Sequence, residues 1–297
     1  MFSTTFLLAA FVMQLVPDVT DAARGVARTI PLVCDARKAL LVPVRVNGLE
    51  VRPFLLDTGS SVTTIDERLI SRLSLPPAGR IASATGSDPL VTAQLTIGPV
   101  TLPGAPVVVL NLRRFSHVIG EVGGILGSDA LRAMGRTTID FERCQLSVGG
   151  AAAGDSDTRP EFARSARVPL EWHQGRPVAV MTGGMRMLLD SGASDVIVFS
   201  DTTAGKSMRW RSIDAEPVRI DRFDGLRLGR IGVLTALAVG GIELPNVRAV
   251  GVKSWYQRSD NGAPDGILPL GLFSRVVIVN DQGYAILVPG CRAPASH

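Results

Sequence analysis

The chain has 297 residues, 46% of them hydrophobic and 20% charged, with a formal net charge of +4. That balance supports one large or two ordinary folded domains and argues against a disordered chain. It also argues against a nucleic-acid binder, because the basic residues are scattered, with Arg113-Arg114 the nearest thing to a cluster, and no basic stripe is interleaved with aromatics. Aromatic residues make up only 5%, against 31 glycines and 19 prolines, which suits many short strands and turns better than long helices.

The first element is the apolar run from Phe6 to Val16. It has the length of a signal-peptide core and falls short of the roughly 20 residues that span a membrane. Small residues follow at Ala22-Ala23 and Gly25-Val26-Ala27. Residues 1–27 are therefore expected to be a cleaved secretory signal, although no Lys or Arg precedes the run. No later stretch is apolar enough to span a bilayer, so the expected location is secreted or periplasmic, with no stable membrane anchor after cleavage. Three cysteines, Cys34, Cys144 and Cys291, allow one disulfide and one free thiol in such a compartment. They and the histidines (His117, His173, His297) are too widely spaced for a local metal knuckle, so no metal site is expected. Nor is a cofactor: Gly120-Glu121-Val122-Gly123-Gly124 lacks the Gly-Lys-Ser/Thr of a phosphate loop, and no Gly-x-Ser-x-Gly elbow occurs.

The stretch 149–164 is small, polar and rich in turn formers, as a linker is. It separates a first half, 28–148, from a second, 165–297, and the two resemble each other. Each opens on an apolar strand: Leu41 to Val46 turns at Asn47-Gly48, and Val178 to Met181 turns at Gly183-Gly184. Both turns tolerate positive φ and favour hairpins. Each returning strand ends on two leucines and an acid: Leu55-Leu56-Asp57-Thr58-Gly59-Ser60-Ser61 and Leu188-Leu189-Asp190-Ser191-Gly192-Ala193-Ser194. Between the acid and the close of each half lie strand-like runs, Val91 to Ile97 and Val107 to Leu110 in the first, Ile231 to Val239 and Val247 to Val252 in the second. Then come Gly123-Gly124-Ile125-Leu126-Gly127 and Asp265-Gly266-Ile267-Leu268-Pro269-Leu270-Gly271. Short helices are expected next, over Ser128 to Met134 and Leu272 to Arg275, followed by apolar strands from Thr137 and Val276. A single Asp-Thr-Gly is weak evidence, since such triplets suit ordinary turns. Two in-frame copies, each with a later Gly-Ile-Leu, are not explained by turn chemistry.

These residues resemble the pepsin and retropepsin group of aspartic peptidases, and most nearly the bacterial retropepsin-like type, here with two copies in one chain. The resemblance implies a mostly β, bilobal acid-protease-like fold, with two related β-barrel-like lobes and a cleft between them. It implies an aspartic endopeptidase in which Asp57 and Asp190 activate a water, supported by Thr58, Gly59, Ser60, Ser191 and Gly192. In that reading Thr58 and Ser191 bond across to the opposite loop, and the glycines let the loops approach. Ser60 is placed to bond the outer oxygen of Asp57, whereas Ala193 cannot do the same for Asp190. The Gly-Ile-Leu elements brace the acidic loops; Pro269, standing where the first copy has Gly127, lacks an N–H, which leaves Gly271 as a substitute. With no tyrosine in the first half, a flap falls to Ala82–Asp88, and the plain alternative for that stretch is a solvent loop. The implied partner is a peptide or protein substrate, the implied unit a monomer, and the pairing favoured by this fold is Cys34 with Cys291. Two alternatives stand beside it: an inert peptide-binding pseudo-peptidase, and a peptidase active only as a dimer through the N-terminal lobe.

Overall fold

The computed structural model describes residues 27–34, 39–83, 86–150, 164–222, 225–256 and 262–290. The expected signal, apart from Ala27, most of the expected linker, and Cys291 lie outside these residues.

Alternating and continuous apolar runs fold as the composition suggests, into two large sheets. In the first half, Leu40–Val42 is followed across the sheet by Phe54–Leu56, Gly124–Leu126, Thr64–Asp66, Val100–Leu110 and Gly86–Ile97, and Pro77–Ser83 pairs with the last of these. In the second half, Arg176–Val180 is followed by Arg186–Asp190, Gly266–Pro269, Val196–Phe199, Ile242–Val252, Gly225–Val239 and Trp210–Arg222. The two orders are the same, so the repeat read in the sequence is a repeat of topology. The fold is mostly β and bilobal, of the acid-protease type.

The copies differ at their first hairpin. In the second half Gly183 and Gly184 take φ of 85° and 82°, and Val178 pairs directly with Leu188. In the first, Asn47 and Gly48 (φ 50° and 80°) turn a separate ribbon of Arg45–Val46 and Leu49–Glu50. That ribbon pairs with Gly86–Ile97, Val46 lying opposite Leu95. Pro53, which has no N–H for a ladder, separates it from Phe54–Leu56, which pairs back to Leu40–Val42. The extra ribbon accounts for the longer path from turn to acid in the first half.

Six antiparallel strands join the halves: Arg28–Pro31, Gln145–Val148, Thr137–Asp140, Phe273–Val279, Tyr284–Pro289 and Ala166–His173. The junction between halves pairs Ile139 with Val276 and Asp140 with Arg275, and the Arg275 guanidinium bonds the Asp140 carboxylate at 3.1 Å. Alternate residues of these strands serve two cores. Ile139, Val276, Ile278, Ala285 and Leu287 enter the main core, whereas Val277, Val279, Tyr284 and Ile286 pack on the other face. This strand pattern overrides the helix expected over Leu272 to Arg275: the segment is a 3-10 turn, Leu270–Leu272, followed by strand Phe273–Val279. Its run of β-branched residues is worth more in the pleated joint than in a helix. The other expected helix is present as Ser128–Ala133.

The expected Cys34–Cys291 pairing is corrected to Cys34–Cys144, with Cα atoms 5.9 Å apart. The cause is register. Ile30 lies opposite Leu146 and Pro31 opposite Gln145, and the Leu32 amide donates to the Cys144 carbonyl, so Cys34 arrives beside Cys144. The bridge closes a sequence separation of 110 residues. Replacing both cysteines with Ser is expected to cost about 2–4 kcal/mol of stability, read as a lower urea midpoint. A non-reducing digest of the wild-type protein should contain the Cys34–Cys144 linked peptide.

Candidate active site

Each acid leaves the end of a short strand buried among neighbours. Phe54–Leu56 runs parallel to Gly124–Leu126, and the Asp57 amide donates to the Leu126 carbonyl at 3.1 Å. Arg186–Asp190 runs parallel to Gly266–Pro269, with Asp190 opposite Pro269. The first glycine of each Gly-Ile-Leu is required by close packing. A Cβ on Gly124 would overlap the Thr64 carbonyl and the Phe54 ring, and one on Gly266 would overlap the Ile197 carbonyl.

The two acidic loops are tied by four reciprocal hydrogen bonds. The Thr58 amide donates to Ser191 Oγ (3.0 Å), and Thr58 Oγ1 donates to the Leu189 carbonyl (2.8 Å). The Ser191 amide donates to Thr58 Oγ1 (2.9 Å), and Ser191 Oγ donates to the Leu56 carbonyl (2.8 Å). Both side chains are buried. The structure therefore joins Thr58 and Ser191 across the halves, and the strand ends carrying Asp57 and Asp190 with them. Gly59 and Gly192 sit where any side chain would intrude. A Cβ on Gly59 would overlap the Asp190 carboxyl, and one on Gly192 would lie 3.1 Å from Asp57 Oδ1.

Each carboxyl therefore lies against the glycine of the opposite loop. Asp57 Oδ1 accepts from the Gly59 amide at 2.8 Å, and Asp190 Oδ1 accepts from the amides of Gly192 (2.7 Å) and Ala193 (3.0 Å). Burial pushes the Asp57 carboxyl well above the usual carboxylate range. The neighbouring Asp190 charge adds to this, against the opposing amides of Gly59 and Ser60. Asp190 is also raised by burial, but is held back by the Gly192 and Ala193 amides, the Asp57 hydrogen bond and the Arg176 cation. Two neighbouring buried carboxyls do not both ionise readily, and the groups around them favour a proton on Asp57 over one on Asp190.

The remaining expected residues divide. Ser60 is beside Asp57, but its hydroxyl donates to the Val62 carbonyl at 2.8 Å; the expected bond to the outer oxygen of Asp57 is not formed, and the Ser60 amide donates to the Asp57 main-chain carbonyl at 3.2 Å. Its carbonyl accepts from the Ser128 amide. Gly271 does not replace Gly127: it lies in the 3-10 turn, and no atom comes closer than 4.0 Å to the place of its missing Cβ. The expected flap, Ala82–Asp88, falls at the end of the hairpin in which Ser83 lies opposite Gly86; residues 84 and 85 are outside the described set. Of the tryptophans, Trp172 takes the Arg132 guanidinium of the other half on its face at 4.5 Å, and Trp255 meets Phe199 edge-on at 4.4 Å.

Sequence reasoning missed a polar brace behind the Asp57 loop. Asp129 accepts from the Thr63 amide (2.9 Å) and hydroxyl (2.7 Å). The Gly127 amide donates to Thr63 Oγ1, and Ser128 Oγ to the Thr58 carbonyl. In the second half Val196, Pro269, Leu270 and Gly271 occupy the corresponding places, so comparing the copies hides these residues. The signal available was local: Ser128-Asp129 directly after Gly127, at the start of a helix.

Two halves of one topology, each presenting an Asp-Thr/Ser-Gly loop to the other, define a protein of the bilobal acid-protease class. The family model described as aspartyl protease matches residues 42–130, which include Asp57 and the first Gly-Ile-Leu-Gly. Among solved structures, the aspartic proteinase from Irpex lacteus is 14% identical over 91% of this chain and 99% of its own, with a TM-score of 0.47. Basic 7S globulin from soybean is 10% identical over 89% of this chain and 95% of its own, with a TM-score of 0.48. No curated protein matches the sequence.

A carboxyl with a raised folded-state pKa binds its proton more tightly folded than unfolded. Its contribution to stability is therefore most favourable at low pH and is lost as pH rises from the unfolded toward the folded pKa. Above that window the pair destabilises the fold. Asp57→Asn is accordingly expected to raise the melting temperature at neutral pH, by about 2–4 °C per kcal/mol relieved, and to change it little at strongly acidic pH. Thermal melts across pH test this.

Proposed function

We propose that the protein is an aspartic endopeptidase that hydrolyses peptide bonds with a water activated by Asp57 and Asp190. The observation that carries this reading is the facing of two half-buried carboxyls, Asp190 against Gly59 and Asp57 against Gly192, held together by the Thr58–Ser191 lock. One ionised and one protonated carboxyl are what water activation requires, and the shared proton of aspartic proteases is a standard worked case of such pKa tuning. Asp190 takes a proton from water as the oxygen attacks the scissile carbonyl carbon, and Asp57 gives its proton to the carbonyl oxygen. Asp190 then protonates the leaving nitrogen while Asp57 recovers a proton from a hydroxyl of the tetrahedral intermediate. The C–N bond breaks, and the pair returns to its starting state.

The chemistry uses no cofactor, because the two side chains supply both acid and base. An extended peptide lying in the cleft would pair its backbone with the flanking strands. The lock within one chain favours a working monomer over a dimer built on the first half alone. Export through residues 1–27 to the periplasm or the outside belongs to the same proposal, as does the two-copy, retropepsin-like character of the chain.

Activity is expected from acidic to mildly acidic pH and should fall as pH rises through the elevated pKa of Asp57, when the shared proton is lost. Asp57→Asn and Asp190→Asn should each lower kcat/KM by at least about 10²–10⁴-fold. A diverse peptide mixture digested over a pH series, with a pepstatin-type inhibitor as control, measures both. Near-normal cleavage by Asp190→Asn would overturn the single-chain dyad. Binding of peptides without cleavage at any pH would establish the pseudo-peptidase instead.

A further inference from the structure

The two acids do not have the same neighbour on the adjoining strand. In the second half, Arg176–Val180 pairs antiparallel with Arg186–Asp190, Val178 lying opposite Leu188 and Ala179 opposite Met187. Continuing that register to the end of both strands sets Arg176 opposite Asp190. Residues directly opposite in an antiparallel pair project from the same face. In the first half Leu41 lies opposite Leu55 and Val42 opposite Phe54; the same continuation sets Ala39 opposite Asp57. One carboxyl faces a cation and its twin faces a methyl group.

The guanidinium is held in place. Arg176 follows a two-residue turn, Gln174 and Gly175, with φ of 49° and 79°, and one terminal nitrogen donates to Gln174 Oε1 at 2.8 Å. The guanidinium lies 5.4 Å over the Tyr256 ring, which in turn packs edge-on against His173 and Phe199. Nε is buried and makes no hydrogen bond, so the charge is not spent on a nearby carboxylate by that atom. The turn also touches the other half: the place of a Cβ on Gly175 is 3.4 Å from the Ser61 Cβ. The titratable and charged groups around the pair are then the two acids themselves, Arg176 from the adjoining strand, His173 and Tyr256 beside the guanidinium, and Asp129 behind the first loop.

We propose that Arg176 is a positioning residue of the dyad, which keeps the negative charge on Asp190 and so leaves the shared proton on Asp57, giving the two acids fixed and different roles. This rests on the dyad reading above, and it goes beyond the repeat, since the register position of Arg176 is held in the first half by Ala39. The electrostatics agree in direction: the Arg176 cation opposes the upward push of burial on Asp190, and no cation does so for Asp57.

Removing the cation makes the pair bind protons more tightly. Arg176→Gln is therefore expected to move both limbs of the pH profile of kcat/KM upward by about one pH unit, while Arg176→Lys stays near the wild-type profile. A fall in kcat with both limbs unmoved would assign Arg176 a purely structural role and overturn the proposal. A second measurement does not depend on cleavage. In Asp57→Asn protein, Asp190 titrates without its coupled partner, and its carboxyl carbon is followed by NMR with and without Arg176→Gln. An upward shift supports the proposal even if the wild-type protein cleaves nothing and the peptidase reading fails; no shift overturns it even if the wild-type protein is an active peptidase. Should Arg176→Gln fail to fold, Arg176→Met, which keeps an apolar stem against Tyr256, carries the same expectation in both measurements.

Discussion

The reciprocal hydrogen bonds of Thr58 and Ser191 are the constraint on which the rest of the site depends. Two carboxyls brought together out of bulk water repel when both are ionised, and each is costly to bury. Something must hold their strands in place against that. A hydroxyl suits the task because it donates once and still accepts. Thr58 Oγ1 donates to the Leu189 carbonyl while accepting from the Ser191 amide, and Ser191 Oγ donates to the Leu56 carbonyl while accepting from the Thr58 amide. Each bond is worth only about 0.5–1.5 kcal/mol net. Leaving one of these buried groups unpaired would cost more, so the four bonds stand or fall together.

Behind the lock the two halves reach the same backbone shape by different chemistry. The first uses a polar brace in which Gly127 donates to Thr63 Oγ1 and Thr63 in turn donates to Asp129. The second has Val196 where the first has Thr63, and Pro269 where the first has Gly127. The two changes explain one another. Pro269 has no N–H to donate, and Val196 has no oxygen to accept, so neither leaves an unsatisfied partner. Apolar packing of Val196, Leu268 and Leu270, all buried, takes over. The proline that looks like damage to the motif when read alone fits once its spatial neighbour is known.

What could be read in the sequence followed from short-range pattern. Leu-Leu-Asp at the end of an apolar run, a glycine after the acid, and a later Gly-Ile-Leu are all consequences of strand burial and close approach, and each is visible within a few residues. What could not be read depended on register between distant strands. Cys34 meets Cys144 only because Ile30 lies opposite Leu146. The place proposed for Arg176, opposite Asp190, follows only from Val178 lying opposite Leu188. Neither pairing is encoded at a fixed spacing. The segment after Leu272 failed for a related reason: local similarity to the first copy favoured a helix, whereas the strand it forms is selected by the partner it finds in Thr137–Asp140.

That joint sheet has a consequence for the cleft. The halves are attached at the lock and again through Thr137–Asp140 and Phe273–Val279, where Asp140 bonds Arg275 and Asn280 donates to the Leu131 carbonyl. The stacking of Arg132 on Trp172 adds a further contact. A rotation of one half against the other would have to break buried polar pairs or a strand ladder, each of which leaves charged or backbone groups unsatisfied. If the chain acts on peptides as proposed, freedom to admit them belongs to elements attached on one side only. Among these are the hairpin of Pro77–Ser83 with Gly86–Ile97 and its counterpart of Trp210–Arg222 with Gly225–Val239, whose outer strands are bound to the rest of the sheet only through their partners. The geometry of the acids is thus set by strands paired on both edges, and under the peptidase proposal access to them is left to strands paired on one.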